Sequence, residues 1–223
     1  MTKDAVLAIL RKENDYISGE HISRLLGVSR AAVNTAVKAL RADGYEISSS
    51  TNKGYHLDAV PNSISAQELA AYLDEARMQT VECLASVDST NNRLRELALA
   101  GAPNGQVVLA NEQTQGKGRR GRAFASPQDN GIYLSILFHP DTLPTDIVEI
   151  TAWTAVATNN AIEEVCGVRA GIKWVNDLVI DRKKICGILT EMSVESESGY
   201  IQYLIIGIGI NVNGQAEDFP EEV

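Results

Sequence analysis

The sequence lacks any apolar run long enough to cross a bilayer. Its longest, around Tyr203 to Ile208, is a handful of residues, against the roughly 18 to 20 that a membrane helix needs. The opening stretch MTKDAVLAILRKEND has no signal-peptide cleavage region. Together these absences read as a cytoplasmic protein with no membrane partner. Cysteine is scarce: Cys83, Cys166 and Cys186 are odd in number, far apart and free of any C-x-x-C pair. That argues against a disulfide framework or a zinc site. His21, His56 and His139 are equally scattered, so no metal ligand set is expected among these residues. There is no internal repeat and no low-complexity segment.

What is present is 223 residues with 44% hydrophobic content, enough to bury a core in one large or two small domains. The formal net charge of −9 is unevenly spread. Residues 1–62 hold eight Lys/Arg against seven Asp/Glu, a net +1, and the remainder holds 12 against 22, a net −10. An acidic body repels a polyanion, so any nucleic-acid contact belongs to the first segment and should be salt-sensitive.

That first segment has the pattern of a small DNA reader. Val6, Ile9 and Leu10 fit one face of a helix; Ile22, Leu25 and Leu26 fit a second that opens after Ser18. Gly27 can end the second helix, Ser29 can cap a third, and Val33, Val37 and Leu40 give the third a buried stripe. Two helices joined by a short Gly-containing turn suggest a helix-turn-helix. Tyr45 to Ser48 and Tyr55 to Leu57 can then pair as a wing across SSTNKG, which carries Lys53. Arg30, Asn34, Thr35 and Lys38 lie opposite the buried stripe of the third helix, a mix suited to base edges and phosphates. A three-helix protein-interaction domain with a solvated polar face is the other reading. Val60-Pro61-Asn62-Ser63 reads as a linker, placing a first domain at 1–62 and a second at 63–223.

The second domain alternates. A helix is expected over SAQELAAYLDEA from Ser65, then a strand near Val81 to Ser86, a helix over Asn91 to Ala100, and a strand over Gln106 to Asn111. A strand Ile132 to Phe138 and a long amphipathic helix from about Thr145 to Cys166 follow. The last third is mostly strand, with hairpin turns expected at Asn176-Asp177 and Asp181 to Lys183. Strands in runs with helices grouped elsewhere point to an α+β domain on a mixed or antiparallel sheet.

Between two of those strands lies NEQTQGKGRRGRAFASP, with four positive charges between Lys117 and Arg122. Gly116, Gly118 and Gly121 match G-x-G-x-x-G, but a dinucleotide site needs a helix opening at the loop, and Pro127 and Asn130-Gly131 intervene before the next strand. A P-loop would need Gly-Lys followed by Ser or Thr. What remains is a loop whose glycines admit close backbone approach while Lys117, Arg119, Arg120 and Arg122 offer charge to phosphate, or else a solvated basic loop, or one that touches DNA.

The loop has companions. Asp88-Ser-Thr-Asn91, Gln113 with GKGRRGR, Lys173-Trp-Val-Asn-Asp177, Lys184-Ile-Cys-Gly-Ile-Leu189 and Gly207-Ile-Gly-Ile-Asn-Val-Asn213 together resemble biotin protein ligases. With the reader ahead of them, from about residue 2 to 214, the chain resembles the two-function form that also represses biotin synthesis genes. The resemblance implies a class II synthetase-like catalytic domain. It also implies biotin, ATP and Mg²⁺ as ligands, biotinyl-5′-AMP as intermediate and corepressor, and a biotin carboxyl carrier protein of acetyl-CoA carboxylase as acceptor through one lysine. Operator DNA as partner and a homodimer when adenylate-bound are further implications.

Residue by residue, the resemblance implies that Ser89, Thr90, Asn91 and Gln113 hold the biotin head, and that Gly116, Lys117, Gly118, Arg119, Arg120 and Arg122 close over the adenylate. Phe124 would stack near the adenine. Lys184, Arg119 and Asp177 would be catalytic, with Lys173, Asn176, Gly187 and Asn211 also among the residues that bind biotin and ATP. Each has a plainer alternative: Asp88-Ser-Thr as a helix cap, Lys184 as one cation of a basic turn, Asn176-Asp177 as a turn pair, Asn211 and Asn213 as turn formers. The chain departs from the family at Lys117, commonly Arg, at Val175, commonly Pro, and at its end. The family continues into more catalytic domain and a small β-barrel, where this sequence stops at DFPEEV. A lipoate ligase-like acyltransferase and a non-catalytic ligand-sensing winged-helix regulator are the rival readings.

Overall fold

A computed structural model describes residues 2–214; the terminal DFPEEV lies outside the described residues. The chain divides into two compact units, Met1–Ser63 and Ile64–Val223.

In the first unit, α1 (Thr2–Lys12), α2 (Gly19–Leu26) and α3 (Arg30–Ala42) precede a hairpin of β1 (Glu46–Ser50) and β2 (Gly54–Ala59). The Ser18 hydroxyl accepts from the His21 N–H and Ser29 from the Ala32 N–H, each at 3.1 Å, which sets where α2 and α3 start. Gly27, at φ 64°, ends α2. Val6, Leu10, Ile22, Val33, Val37 and Leu40 are each at most 2% exposed, and full burial of a side chain of this kind contributes about 1.5–3 kcal/mol. Two expectations change. On α1 the buried face includes Leu7 while Ile9 is half-buried. On α2, Leu25 is 56% exposed, because an eight-residue helix packed along α3 buries only a narrow stripe, centred on Ile22.

The hairpin strands run further than expected and tighten the turn to residues 51–53, pairing Ser50 with Gly54. Gly54 has φ 111°, and a Cβ there would lie 2.0 Å from the Ile17 carbonyl oxygen, so only glycine fits. That closeness comes from the Ile17–Tyr55 pair, which exchanges two 2.9 Å backbone hydrogen bonds and ties the wing to the segment before α2.

In the second unit the single helix expected from Ser65 is two short ones, α4 (Ala66–Leu69) and α5 (Glu75–Met78). Asp74 is the reason: its carboxylate accepts from the Arg77 N–H at 2.8 Å and starts a new turn. Then follow β3 (Val81–Leu84), α6 (Thr90–Leu99), β4 (Val107–Ala110), β5 (Gly131–Phe138), α7 (Ile150–Cys166), β6 (Gly171–Lys173), β7 (Asp177–Ile180), β8 (Lys183–Val194) and β9 (Ile201–Asn211). The strand order is β3-β4-β5-β9-β8-β7-β6, with β3 and β4 parallel and the other neighbours antiparallel, so the sheet is mixed.

Three more expectations are corrected. A 3₁₀ turn, Pro144–Ile147, stands where the long helix was expected to begin. The helix is also not amphipathic in the usual sense. It buries Ala155, Thr158 and Asn159 while Trp153 is 58% exposed. Asn159 is inside because its amide pairs with both backbone groups of Ala170 at 2.9 Å. Nor is Asp177 a turn residue: β7 begins at it, and the turn lies at Trp174 to Asn176.

Alternation along β9 explains where the site forms. Leu204 and Ile206 join a cluster with Ala155 of α7, whereas Tyr203 and Ile205 join Leu94 of α6. Successive strand residues face opposite sides of a sheet, so α6 and α7 cover opposite faces. On the α6 face the cross-strand rows are Tyr133–Gly209–Gly187, Ser135–Gly207–Leu189 and Leu137–Ile205–Glu191.

Candidate functional site

A cleft opens over the first two of those rows, between the N-terminus of α6 and the basic loop. It is lined by Ser89, Thr90, Asn91, Gln113, Lys117, Gly118, Arg119, Phe124, Asn176, Lys184 and Gly187, all expected from sequence, and by Leu134, Ile188, Leu189, Gly207, Ile208 and Gly209. Gly207 and Gly209 make room for it. A Cβ on Gly207 would lie 2.3 Å from Asn91 Oδ1, and one on Gly209 would lie 2.4 Å from the Phe124 ring. Any side chain at either position would therefore displace a lining residue.

One end of the cleft is a buried polar network. The Thr90 backbone N–H donates to Gln113 Oε1 at 2.8 Å, and Gln113 Nε2 donates to Ser126 Oγ at 2.8 Å. Ser135, fully buried, places its hydroxyl 2.7 Å from Thr90 Oγ1 and 2.6 Å from Asn91 Oδ1. Asn91 Nδ2 donates to Glu191 Oε2 at 2.8 Å, and Arg95 holds Glu191 Oε1 at 2.9 Å. Such a network is stable away from water only because its members find partners.

The other end is cationic. Lys184 Nζ lies 2.9 Å from Asp177 Oδ1 and 5.6 Å from the centroid of the Phe124 ring. Asn176 donates to Asp177 at 3.0 Å and accepts from Arg119 Nη1 at 2.7 Å. Lys117 donates to Asn92 Oδ1. The loop that carries these cations folds on itself: the Gly118 N–H donates to the Arg122 carbonyl at 2.7 Å, and the Phe124 N–H to the Gly116 carbonyl at 2.9 Å. Beneath, burial pushes the Cys186 thiol up to about 12, with Lys184 opposing the shift. That thiol is a core group and no nucleophile at neutral pH.

Six residues named from sequence stand apart from the lining. Asp177 acts on the cleft through Lys184, and Asn211 Nδ2 donates to the Lys184 carbonyl at 3.1 Å. Gly116 packs beneath the Phe124 carbonyl. Arg120, Arg122 and Lys173 are exposed. In the other direction, Ser135, Glu191 and the glycines of β9 escaped the sequence reading as cleft residues. The alternating glycines of GIGIN were the available signal; nothing local marks Ser135 or Glu191.

In the first unit, Arg30, Asn34, Thr35 and Lys38 line one groove with Ser49 to Asn52 and Tyr55 of the wing. Asn34 Nδ2 donates to the Tyr55 hydroxyl at 3.2 Å. Lys53 stands off that groove, with its Nζ 5.9 Å from the centroid of the Tyr16 ring.

Known proteins match both units. A helix-turn-helix domain family matches residues 2–56, and the family described as Biotin/lipoate A/B protein ligase matches residues 83–211. The bifunctional ligase/repressor BirA of Bacillus subtilis is 39% identical over all of this chain, which spans 68% of its length. The protein of the same name from Escherichia coli is 29% identical over 92% of this chain and 62% of its own. Among solved structures, biotin protein ligase from Aquifex aeolicus in complex with biotin and ATP has a TM-score of 0.52 at 32% identity, covering 65% of this chain and 56% of that one. A match over residues 83–211, more than half of the chain, together with relatives similar along both units, places this chain in the biotin/lipoate A/B protein ligase family, with a helix-turn-helix domain ahead of the ligase region.

Proposed function

We propose that this chain joins biotin to ATP, forming biotinyl-5′-AMP and pyrophosphate, and passes the biotinyl group to a lysine of a biotin carboxyl carrier protein of acetyl-CoA carboxylase. The observation that carries the reading is one cleft with two chemistries. A buried array of neutral hydroxyls and amides at one end suits an uncharged ureido head, and Lys184, Arg119 and Lys117 at the other suit a carboxylate and phosphates.

In the first step a biotin carboxylate oxygen bonds to the α-phosphorus and the bond to pyrophosphate breaks. Lys184 reduces repulsion between the two anions and meets charge on the transferring phosphoryl oxygens. In the second step the acceptor amine attacks the acyl carbon, AMP leaves, and the amine gives up a proton, for which Asp177 is the nearby carboxylate. Phe124 and the loop from Gly116 to Arg122 shield the mixed anhydride from water. Among the described residues no three His, Cys, Asp or Glu side chains gather to hold a metal, so Mg²⁺ would enter with the nucleotide. Asp177 would be a protein ligand, with phosphate oxygens and waters supplying the rest, and the ion would screen phosphate charge.

The reader unit extends the proposal to repression. Arg30, Asn34, Thr35 and Lys38 would enter the major groove of operator DNA, with Lys53 on the wing. A unit with net charge of only +1 binds weakly alone, so a homodimer promoted by the adenylate would span two half-sites. A cytoplasmic setting follows from these partners. The test is incubation with ATP, Mg²⁺ and either biotin or lipoate, reading pyrophosphate and the acyl adenylate by mass spectrometry. Biotinyl-5′-AMP is expected. A lipoyl product instead would make this a lipoate ligase, and biotin binding with no product would leave a ligand-sensing regulator.

A further inference from the structure

Two cations of the basic loop rest on the same kind of partner. Lys117 Nζ donates to Asn92 Oδ1, and Arg119 Nη1 donates to Asn176 Oδ1 at 2.7 Å. A neighbouring carboxylate turns each amide: Asn92 Nδ2 donates to Asp88 Oδ2 at 2.6 Å, and Asn176 Nδ2 to Asp177 Oδ1 at 3.0 Å. An ionised carboxylate can only accept, while lysine and arginine can only donate, so neither amide can turn over without losing both bonds. Arg95 fixes Asn92 further, its Nη1 donating to the same Oδ1 at 3.2 Å. Asn176 lines the cleft, whereas Asn92, in the first turn of α6, stands outside the lining.

Main-chain bonds tie the start of the loop to the segment before α6 as far as Gln115, whose N–H donates to the Asp88 carbonyl at 2.8 Å. From Gly118 to Phe124 they run within the loop, Gly118 to Arg122 and Phe124 to Gly116. Those bonds shape the tip without fixing it over the cleft. We infer that Asn92 is a positioning residue: by holding the Lys117 ammonium it pins the α6 side of the loop, as Asn176 pins the other side through Arg119. A neutral amide also holds the ammonium without offsetting its charge, which stays directed at an anion in the cleft. Lys184 differs, with Asp177 at 2.9 Å. The identity of that anion, an acyl adenylate, rests on the function proposed above; the hold on the loop does not.

Asn92→Ala removes the acceptor for Lys117 and leaves Arg119 on Asn176. Alanine is the most favourable residue in a helix, so α6 should persist. Exchanging the pair, Asp88→Asn with Asn92→Asp, restores the hold. The amide introduced at position 88 can accept from the Ser89 N–H, as Asp88 Oδ1 does at 2.7 Å, and can donate to the carboxylate introduced at position 92. That carboxylate accepts from Lys117 and Arg95 in turn. Every hydrogen bond returns, with only the link between positions 88 and 92 reversed.

The loop carries its own probe, because trypsin cuts after lysine and arginine. Cleavage after Lys117 in the ligand-free full chain, followed by mass spectrometry, reports how often the tip leaves its place. Loss of one hydrogen bond from a charged donor predicts about tenfold faster cleavage there in Asn92→Ala, and the exchanged pair should return to within about threefold of the wild type. Release of preformed biotinyl-5′-AMP should quicken by about tenfold in Asn92→Ala, while affinity for biotin alone changes by less than about threefold. A defect of folding would instead speed cleavage throughout the chain and weaken both ligands equally. Acceleration below about threefold after Lys117, equal acceleration outside the loop, or no recovery in the exchanged pair overturns the inference. So does unchanged release of a bound adenylate, or a loss shared equally with biotin. A wild type and variants that show the expected cleavage yet bind neither biotin nor biotinyl-5′-AMP overturn the functional reading alone.

Discussion

Replacing Lys184 with alanine separates the chemistry of the cleft from the stability of the fold. The Lys184 side chain is 36% exposed and its partner Asp177 is 20% exposed, at 2.9 Å. A pair this open to solvent contributes about 0.2–1 kcal/mol, and 1 kcal/mol moves the Tm of a unit of this size by about 2–4 °C. A fall of no more than about 4 °C is expected. Catalysis is more exposed to the change. A unit charge about 4 Å from Nζ interacts by about 4 kcal/mol at an effective dielectric constant near 20, and losing one fixed donor to a developing oxyanion costs about 10² to 10³ in rate. Asp177 already offsets part of the lysine's field, which puts the expectation at the lower end, about 10²-fold. The assay is single-turnover formation of the acyl adenylate at saturating biotin and ATP, with a thermal melt of the same samples. A loss below about tenfold with an intact melt would refute the role given to Lys184. So would a rate loss that tracks unfolding.

Three further outcomes are expected. Gly209→Ala places a methyl 2.4 Å from the Phe124 ring; with Phe124 on a loop the fold should survive, and adenylation should fall by about tenfold or more in steady-state assays. Among the thiols, exposed Cys166 should react with iodoacetamide at pH 8. Cys83, whose pKa burial raises, should react slowly, and Cys186 only on unfolding, because a pKa raised to about 12 leaves almost no thiolate. Mass mapping of a time course checks the order. Arg30→Ala and Lys38→Ala should each weaken binding to duplex DNA and lower the salt slope by about one while leaving adenylation unchanged; anisotropy across a salt series reads this, and unchanged slopes would place DNA elsewhere.

Much of this was legible locally. Helix starts at Ser18 and Ser29, the stop at Gly27 and the stripe Val33, Val37, Leu40 depend on neighbours within four residues, and the structure keeps each of them. Where a local signal competed with another, the sequence misled. The apolar spacing after Ser65 promised one helix, but the Asp74 cap divides it. The Asn176-Asp177 pair looked like a turn, but Asp177 pairs with Gly187 across β7 and β8.

The residue types of the cleft were determined by the sequence alone: a glycine-rich cationic loop, a Ser-Thr-Asn helix entry, and Lys184 after a basic turn. Chemistry of that kind is written in short motifs because hydrogen bonding and charge belong to side chains. Only the tertiary structure decided which of them meet. Asn91 and Glu191 are one hundred residues apart. The register of β5, β9 and β8 puts Ser135, Gly207 and Leu189 in one row with Glu191 in the next, beneath the start of α6. Strand register has period two, so a slip of one residue would turn Ser135 and Glu191 to the α7 face and leave the same motifs without a site.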